Sequence, residues 1–180
     1  DYAYRVAGSV GEFWTQMSLD HLFNFKEENE TELFEKGVRF GKALQMINIL
    51  RDIPADLELG RCYIPRRSLD EHGMSPSDLL DSSKMDSFRP LYDEYLDLTD
   101  QHLDSAVQYI EMLPHSQFRL RGSCMLPVII GKKTVSLLRG RNVLDPGEKV
   151  KIKRSEVKEV VKQVIMAVPF KGSSKRLLRE

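Results

Sequence analysis

Two cysteines, Cys62 and Cys124, are all that the 180 residues contain. They form no CxxC pair and cannot build a disulfide framework, so the sequence fits a reducing compartment and predicts a cytoplasmic protein. Glycine and proline are sparse, 11 and 8 residues, too few for the turn-dense connections of a β architecture. No uninterrupted apolar run approaches the roughly 18 residues of a membrane span, and the opening residues do not read as a secretory signal. The four histidines show no metal-ligand spacing, no GxGxxG-type cofactor fingerprint appears, and nothing supports a nucleophilic triad.

What is present describes a folded domain. Hydrophobic residues make up 41% and charged residues 30%, which excludes bulk disorder, and the length predicts one domain over 1–180. The zero net charge hides an asymmetry: Lys149 to Glu180 carries +7 and the remainder −7. A basic end favours anionic membrane surfaces or nucleic acid. With Phe170 as its one aromatic, the segment has no stacking platform, which argues against nucleic acid. The plain reading is a solvated helix and tail; the alternative is peripheral contact with an anionic membrane.

Apolar residues recur at helical spacing almost throughout, and no alternating strand pattern of useful length appears. Val6, Val10, Phe13, Trp14 and Met17 form a first stripe, broken by the polar run Lys26 to Glu30. A second helix is expected from Thr31, whose side chain can cap it, to about Arg51 or beyond. Leu59 to Pro76, with Gly60, Pro65, Gly73 and Pro76, reads as a loop with one helical turn. Met85, Phe88, Tyr92, Tyr95, Thr99, His102, Ala106 and Tyr109 mark one face of a long helix ending before Pro114. Further helices are expected over Phe118 to Leu138 and, as the last one, Ser155 to Met166. The fold class is all-α.

The richest stretch is QMINILRDIPADLELGRCYIP, Gln45 to Pro65. On a helix Gln45, Asn48, Asp52 and Asp56 fall within about an 80° arc, interrupting an otherwise apolar surface. Carboxylates on such a helix need a partner or a metal. Two Asp at i,i+4 can reach cations that bridge them to a diphosphate, since Mg²⁺ favours one or two carboxylates plus substrate phosphate. Arg51 and Arg61 supply charge for phosphate oxygens, and Tyr63 can donate a hydrogen bond. The plainer alternative is a polar helix exit with Asp52 paired to Arg51 or Arg61. Pro54, between the two Asp, predicts a kink or helix end that displaces Asp56.

A second acidic face, Asp93, Asp97, Asp100 and Asp104, has more carboxylates but no Asn or Arg near it in sequence and no glycine-arginine loop after it. It reads as a solvated face. Near the start, Ala7, Gly8 and Gly11 make a strip without bulk beside Tyr2, Val6 and Val10, open to close approach by another helix or by a long thin ligand. Gly37 and Gly41 admit the same helix-packing reading.

Taken together, YAYRVAGSVG (Tyr2 to Gly11) and ALQMINILRDIPADLELGRCYIP (Ala43 to Pro65) closely resemble the squalene/phytoene synthase family. RLRGSCMLPVIIG, Arg119 to Gly131, is similar to a later, less specific family helix. The resemblance implies the all-α isoprenoid synthase fold and Mg²⁺-dependent head-to-head condensation of two farnesyl diphosphates. The product would be presqualene diphosphate or a squalene-type C30 compound, with NADPH as hydride donor if squalene is made. It implies that Asp52 and Asp56, with Asn48 and Gln45 beside them, hold Mg²⁺ against a prenyl diphosphate. Arg51, Arg61 and Tyr63 would bind or orient the diphosphate, and Tyr2 would stand near the reacting carbons. Val6, Ala7, Val10, Gly11 and Leu44 would line the prenyl tunnel. Bulky Phe13 and Trp14 favour a C30 product over the C40 product that geranylgeranyl diphosphate gives.

The family also uses an earlier DxxxD motif, which the resemblance places ahead of Asp1. The sequence opens on Asp1 with motif-like residues at once, which points to an engineered piece, a processed product or an incompletely covered parent chain, and 180 residues alone are expected to be inactive. The reading from another class is a noncatalytic helical module that binds prenyl lipid.

Overall fold

The computed structural model describes residues 1–25, 27–148 and 150–179. Lys26, which opens the polar run, and Lys149 and Glu180, which bound the basic segment, lie outside the described residues, as do the side chains of Glu27 and Glu28. The described residues contain helices and connections and no strand, as the 3.6-residue periodicity requires. A π-helical turn, Tyr4–Gly8, runs directly into helix α1, Ser9–His21. Helix α2 spans Glu27–Arg51 and α3 spans Ile53–Glu58. Short α4, Arg66–Glu71, and two 3₁₀ turns, Pro76–Leu80 and Ser82–Lys84, lead to α5, Met85–Met112. Helices α6, Phe118–Arg139, α7, Arg154–Ala167, and α8, Lys171–Arg179, complete the chain.

Helix α5 is the core element. Phe88, Tyr92, Leu96, Leu103, Ala106, Tyr109 and Ile110 on it are fully buried, and α2 and α6 both pack along it. Tyr92 donates to the Leu50 carbonyl at 3.1 Å, fixing the last turn of α2 to the core just before Asp52. Arg121 is buried on α6 and donates to the carbonyls of Ile110 and Leu113, the latter at 2.9 Å. It thereby satisfies the orphan carbonyls at the end of α5 and places a cation where the helix dipole favours one. Cys124, also buried, has its thiol pushed up to about 12 by desolvation, which makes it inert packing.

The crossing of α1 on α2 is built from absent side chains. A Cβ on Gly11 would lie 2.0 Å from the Gly37 carbonyl oxygen, and one on Gly41 would lie 2.0 Å from the Ala7 carbonyl oxygen. Thr15, buried beside this contact, donates to the Gly11 carbonyl at 2.8 Å and lies 3.1 Å from the Tyr109 hydroxyl.

Four sequence expectations are corrected. Helix α2 starts at Glu27, so Thr31 lies inside it and is no cap; the acidic residues before Thr31 are good helix formers at a helix N-terminus. The segment from Leu59 to Pro76 holds the six residues of α4, more than one turn. Helix α7 is not the last: α8 follows, docked by Leu178 and by Ser174, whose hydroxyl donates to the Ala167 carbonyl at 2.9 Å. The acidic face of α5 has arginines after all: Arg139 of α6 bonds Asp97 and Asp100, each at 2.7 Å, and Arg89, one turn earlier on α5, lies 3.8 Å from Asp93. Among the described residues no helix is long and apolar enough to cross a membrane.

Candidate functional site

The site is the place where α2 ends. Asp52 breaks the helix with φ −106° and ψ 18°, and Pro54 stands in the first turn of α3, where its missing N–H costs nothing. The break is shallow. The Asp52 N–H still bonds the Asn48 carbonyl at 3.0 Å, and the Asp56 N–H bonds the Asp52 carbonyl at 2.9 Å. Pro54 therefore ends the helix as its chemistry predicts, yet Asn48, Asp52 and Asp56 keep their i,i+4 succession. Asp56 is not displaced.

Helix α3 closes on Gly60, whose φ of 73° belongs to the left-handed region that glycine tolerates. This turn lets the Arg61 N–H bond the Asp56 carbonyl at 2.8 Å, delivering a cation beside the second aspartate. Ile64, buried, anchors the strand of chain that follows. Between them Tyr63 stacks on Tyr2, ring centroids 4.6 Å apart at 27°. The N-terminal segment is thus joined to the aspartate-rich turn by an aromatic pair, and the Tyr2 hydroxyl is held above its ordinary range, first by its hydrogen bond with Tyr63.

The electrostatics divide the two carboxylates. Asp52 is gripped by Arg51 in a bidentate pair, 2.9 Å to Nε and 2.6 Å to a terminal nitrogen, which raises the Arg51 guanidinium. This is the pairing that the spacing left open. The Asp56 carboxyl is raised by partial burial, then by the charge of Asp52, while Arg61 pulls it down. Among the described residues neither Asn48 nor Asp56 has a side-chain hydrogen-bond partner. Asn48 is exposed, and Gln45 and Leu44 are half-buried one turn earlier.

The remaining residues read as tunnel lining divide into two sets. Val6 and Val10 face outward, 44% and 57% exposed, in line with Phe13, Trp14 and Met17. Ala7 and Gly11 meet the backbone of α2, so the strip without bulk admits a helix, and Gly11 is corrected from tunnel lining to helix crossing. Sequence reasoning missed a cleft of about 690 Å³ beside Arg51 and Asp52, whose far wall includes Ile130 and Thr134 of α6 and Lys151. No spacing signal ties Lys151 to α2, since it belongs to the basic run and reaches the cleft only through the turn after α6.

The comparisons with known proteins fit this geometry. A family model described as squalene/phytoene synthase matches residues 1–156. The bifunctional lycopene cyclase/phytoene synthase of Arthroderma gypseum is 33% identical over 114 residues, 63% of this chain and 19% of that protein. The presqualene diphosphate synthase of Sinorhizobium fredii is 47% identical over 77 residues, 43% of this chain and 25% of that protein. The 4,4'-diapophytoene synthase of Staphylococcus haemolyticus is 29% identical over 113 residues, 62% of this chain and 37% of that protein. The fold superposes on the solved structure of TcSQS with a ligand at a TM-score of 0.82 and 18% identity, covering 99% of this chain and 50% of that one. The chain therefore spans half of that fold and a smaller share of these curated relatives. With the aspartate-rich turn of α2 in place and the family model covering most of its length, the chain belongs to the squalene/phytoene synthase family.

Proposed function

We propose that this chain carries one half of the active site of a head-to-head prenyltransferase. That enzyme joins two farnesyl diphosphates to presqualene diphosphate or a squalene-type C30 product. The observation that supports it most is the unbroken i,i+4 succession from Asn48 through Asp52 to Asp56 across a proline, with Arg51 and Arg61 beside it.

The donor set fits Mg²⁺. The Asp56 carboxyl is raised partly by the neighbouring Asp52 charge, a repulsion that a divalent cation relieves. Two carboxylates and an amide are few for a protein-only cage but suit an ion shared with substrate phosphate. Asp52, Asp56 and Asn48 would hold it. When bound, Mg²⁺ supplies Lewis-acid neutralisation of the diphosphate leaving group.

The chain's own residues do the rest. Arg51 and Asp52 occupy each other; a diphosphate would take the guanidinium and free the carboxylate. Arg61 and Tyr63 present a cation and a phenolic hydroxyl to the same anion. Tyr2, stacked on Tyr63, places its ring at the head of the outward apolar line of Val6, Val10, Phe13, Trp14 and Met17. That line runs roughly 16 Å from Val6 to Met17, a wall that keeps water from an allylic cation. NADPH would enter only if the reaction continues to squalene. The C40 reading with geranylgeranyl diphosphate draws support from the phytoene synthase relatives, and the noncatalytic prenyl-lipid module is the outcome if no turnover is found.

The test is pyrophosphate release from farnesyl diphosphate with Mg²⁺ by the complete enzyme. Asp52→Asn should lower the rate at least about a hundredfold, the scale of losing one electrostatic group at a developing charge, while helical content stays unchanged. Wild-type rates in that variant would remove the metal assignment. Faster turnover of geranylgeranyl than farnesyl diphosphate would move the product to C40.

A further inference from the structure

Helix α7 has two opposed faces. Val160, Val164 and Ala167 are buried, and Val164, with Val168 just beyond the helix, comes within 4 Å of where a Cβ on Gly122 of α6 would stand. The outward face carries Arg154, Lys158 and Lys162, then Ile165 and Met166 in its last turn, all within about a 120° arc. Ile165 and Met166 are 64% and 66% exposed, and after exposed Pro169 comes Phe170, 64% exposed, followed by Lys171. Single exposed apolar side chains are ordinary. Three large ones at one corner, approached by lysines along the same helix face, are a pattern with a purpose. Among the described residues Lys158, Lys162 and Lys171 have no ion-pair partner. Of the two acids on α7, Glu156 accepts from the Lys153 N–H at 3.0 Å and Glu159 flanks the lysines. Most of α7 and all of α8 lie beyond the residues that the family model matches.

We infer that the α7–α8 corner is a docking surface for an anionic lipid bilayer, with Ile165, Met166 and Phe170 entering the acyl boundary and Lys158, Lys162 and Lys171 meeting the headgroups. Lysine stems can lie along apolar surface while their ammonium groups reach phosphate, and an interfacial helix combines buried apolar area with attraction to anionic lipid. The charge of the segment from Lys149 onward, +7 in sequence, selects an anionic surface over a neutral one.

The experiment is flotation of the purified 180-residue chain with phosphatidylcholine vesicles and with phosphatidylcholine vesicles containing a quarter phosphatidylglycerol. It needs neither substrate nor metal, so its outcome is independent of the prenyltransferase reading. Binding is expected on the anionic vesicles alone, with release at about 1 M salt, where charges more than about 3 Å apart are screened. The triple variant Ile165→Ser/Met166→Ser/Phe170→Ser and the double variant Lys158→Glu/Lys162→Glu should each lower partitioning more than tenfold. Their melting should be unchanged, because the replaced side chains are exposed. Phe170→Trp should add a blue-shifted emission component on anionic vesicles. The proposal is overturned if the chain does not bind, if both multiple variants bind as the parent does, or if the tryptophan emission does not move. It is equally overturned if Phe170→Ser dissociates a dimer, since the corner would then be covered by a second copy.

Discussion

At the scale of single residues the informative carboxylate is Asp56. Burial and the Asp52 charge raise its pKa above the ordinary aspartate value, against the pull of Arg61. The sign follows from linkage. With the folded pKa above the unfolded one, ionised Asp56 opposes folding at neutral pH, and the opposition is relieved as pH falls from the folded toward the unfolded value. A carboxyl-carbon titration by NMR should place Asp56 above the ordinary aspartate value of about 3.9. Asp52→Asn should lower that midpoint, and so should Mg²⁺. A midpoint that ignores both would mean that the two carboxylates are uncoupled. The residue types of this pair were legible because their i,i+4 spacing and the trailing Gly60-Arg61 form a local pattern. The Tyr2–Tyr63 stack was not, since it joins segments far apart in sequence and depends on how α1 crosses α2.

At the scale of elements the sharpest constraint is that crossing. Gly11→Ala sets a methyl 2.0 Å from a backbone oxygen that cannot rotate away. Overpacking of this kind costs about 1–3 kcal/mol or more, which for a chain of this size lowers Tm by roughly 2–4 °C per kcal/mol. Gly172→Ala is the matched control, since nothing lies within 4 Å of its Cβ position and alanine is the better helix former by about 1 kcal/mol. Thermal denaturation should therefore separate them, one variant melting earlier and the other no earlier than the parent. Equal melting would mean that α1 is free to shift on α2. Long helices with apolar stripes, α5 and α6 above all, were readable to within a residue or two. Helix α8 was not, because Lys171 to Ser174 is polar and only Leu177 and Leu178 signal a buried side. The Arg139 clamp on α5 was invisible for the same reason as the aromatic stack: helix periodicity says which face is polar, never which arginine from another helix will meet it.

At the scale of the whole molecule the chain leaves one apolar side uncovered. Phe13 and Val10 are 64% and 57% exposed, with Trp14 and Met17 beside them, a run of large apolar side chains of the kind that marks an interaction surface. The related fold of TcSQS is about twice as long as the part this chain covers. The 180-residue chain should bind a hydrophobic dye such as ANS, and Phe13→Ser/Trp14→Ser should remove most of that signal. Dye binding unchanged in the double variant would locate the exposed surface elsewhere, the α7–α8 corner being the next place to test. The glycine crossing also carries a consequence for how such a chain can diverge. Where two large side chains meet, one can shrink after the other grows, and sequences wander through such pairs. At Gly11 against Gly37, and at Gly41 against Ala7, the partner is main chain and has no smaller form to adopt. Drift at these positions has no compensating step, so descendants of this sequence keep them or move α1 as a whole.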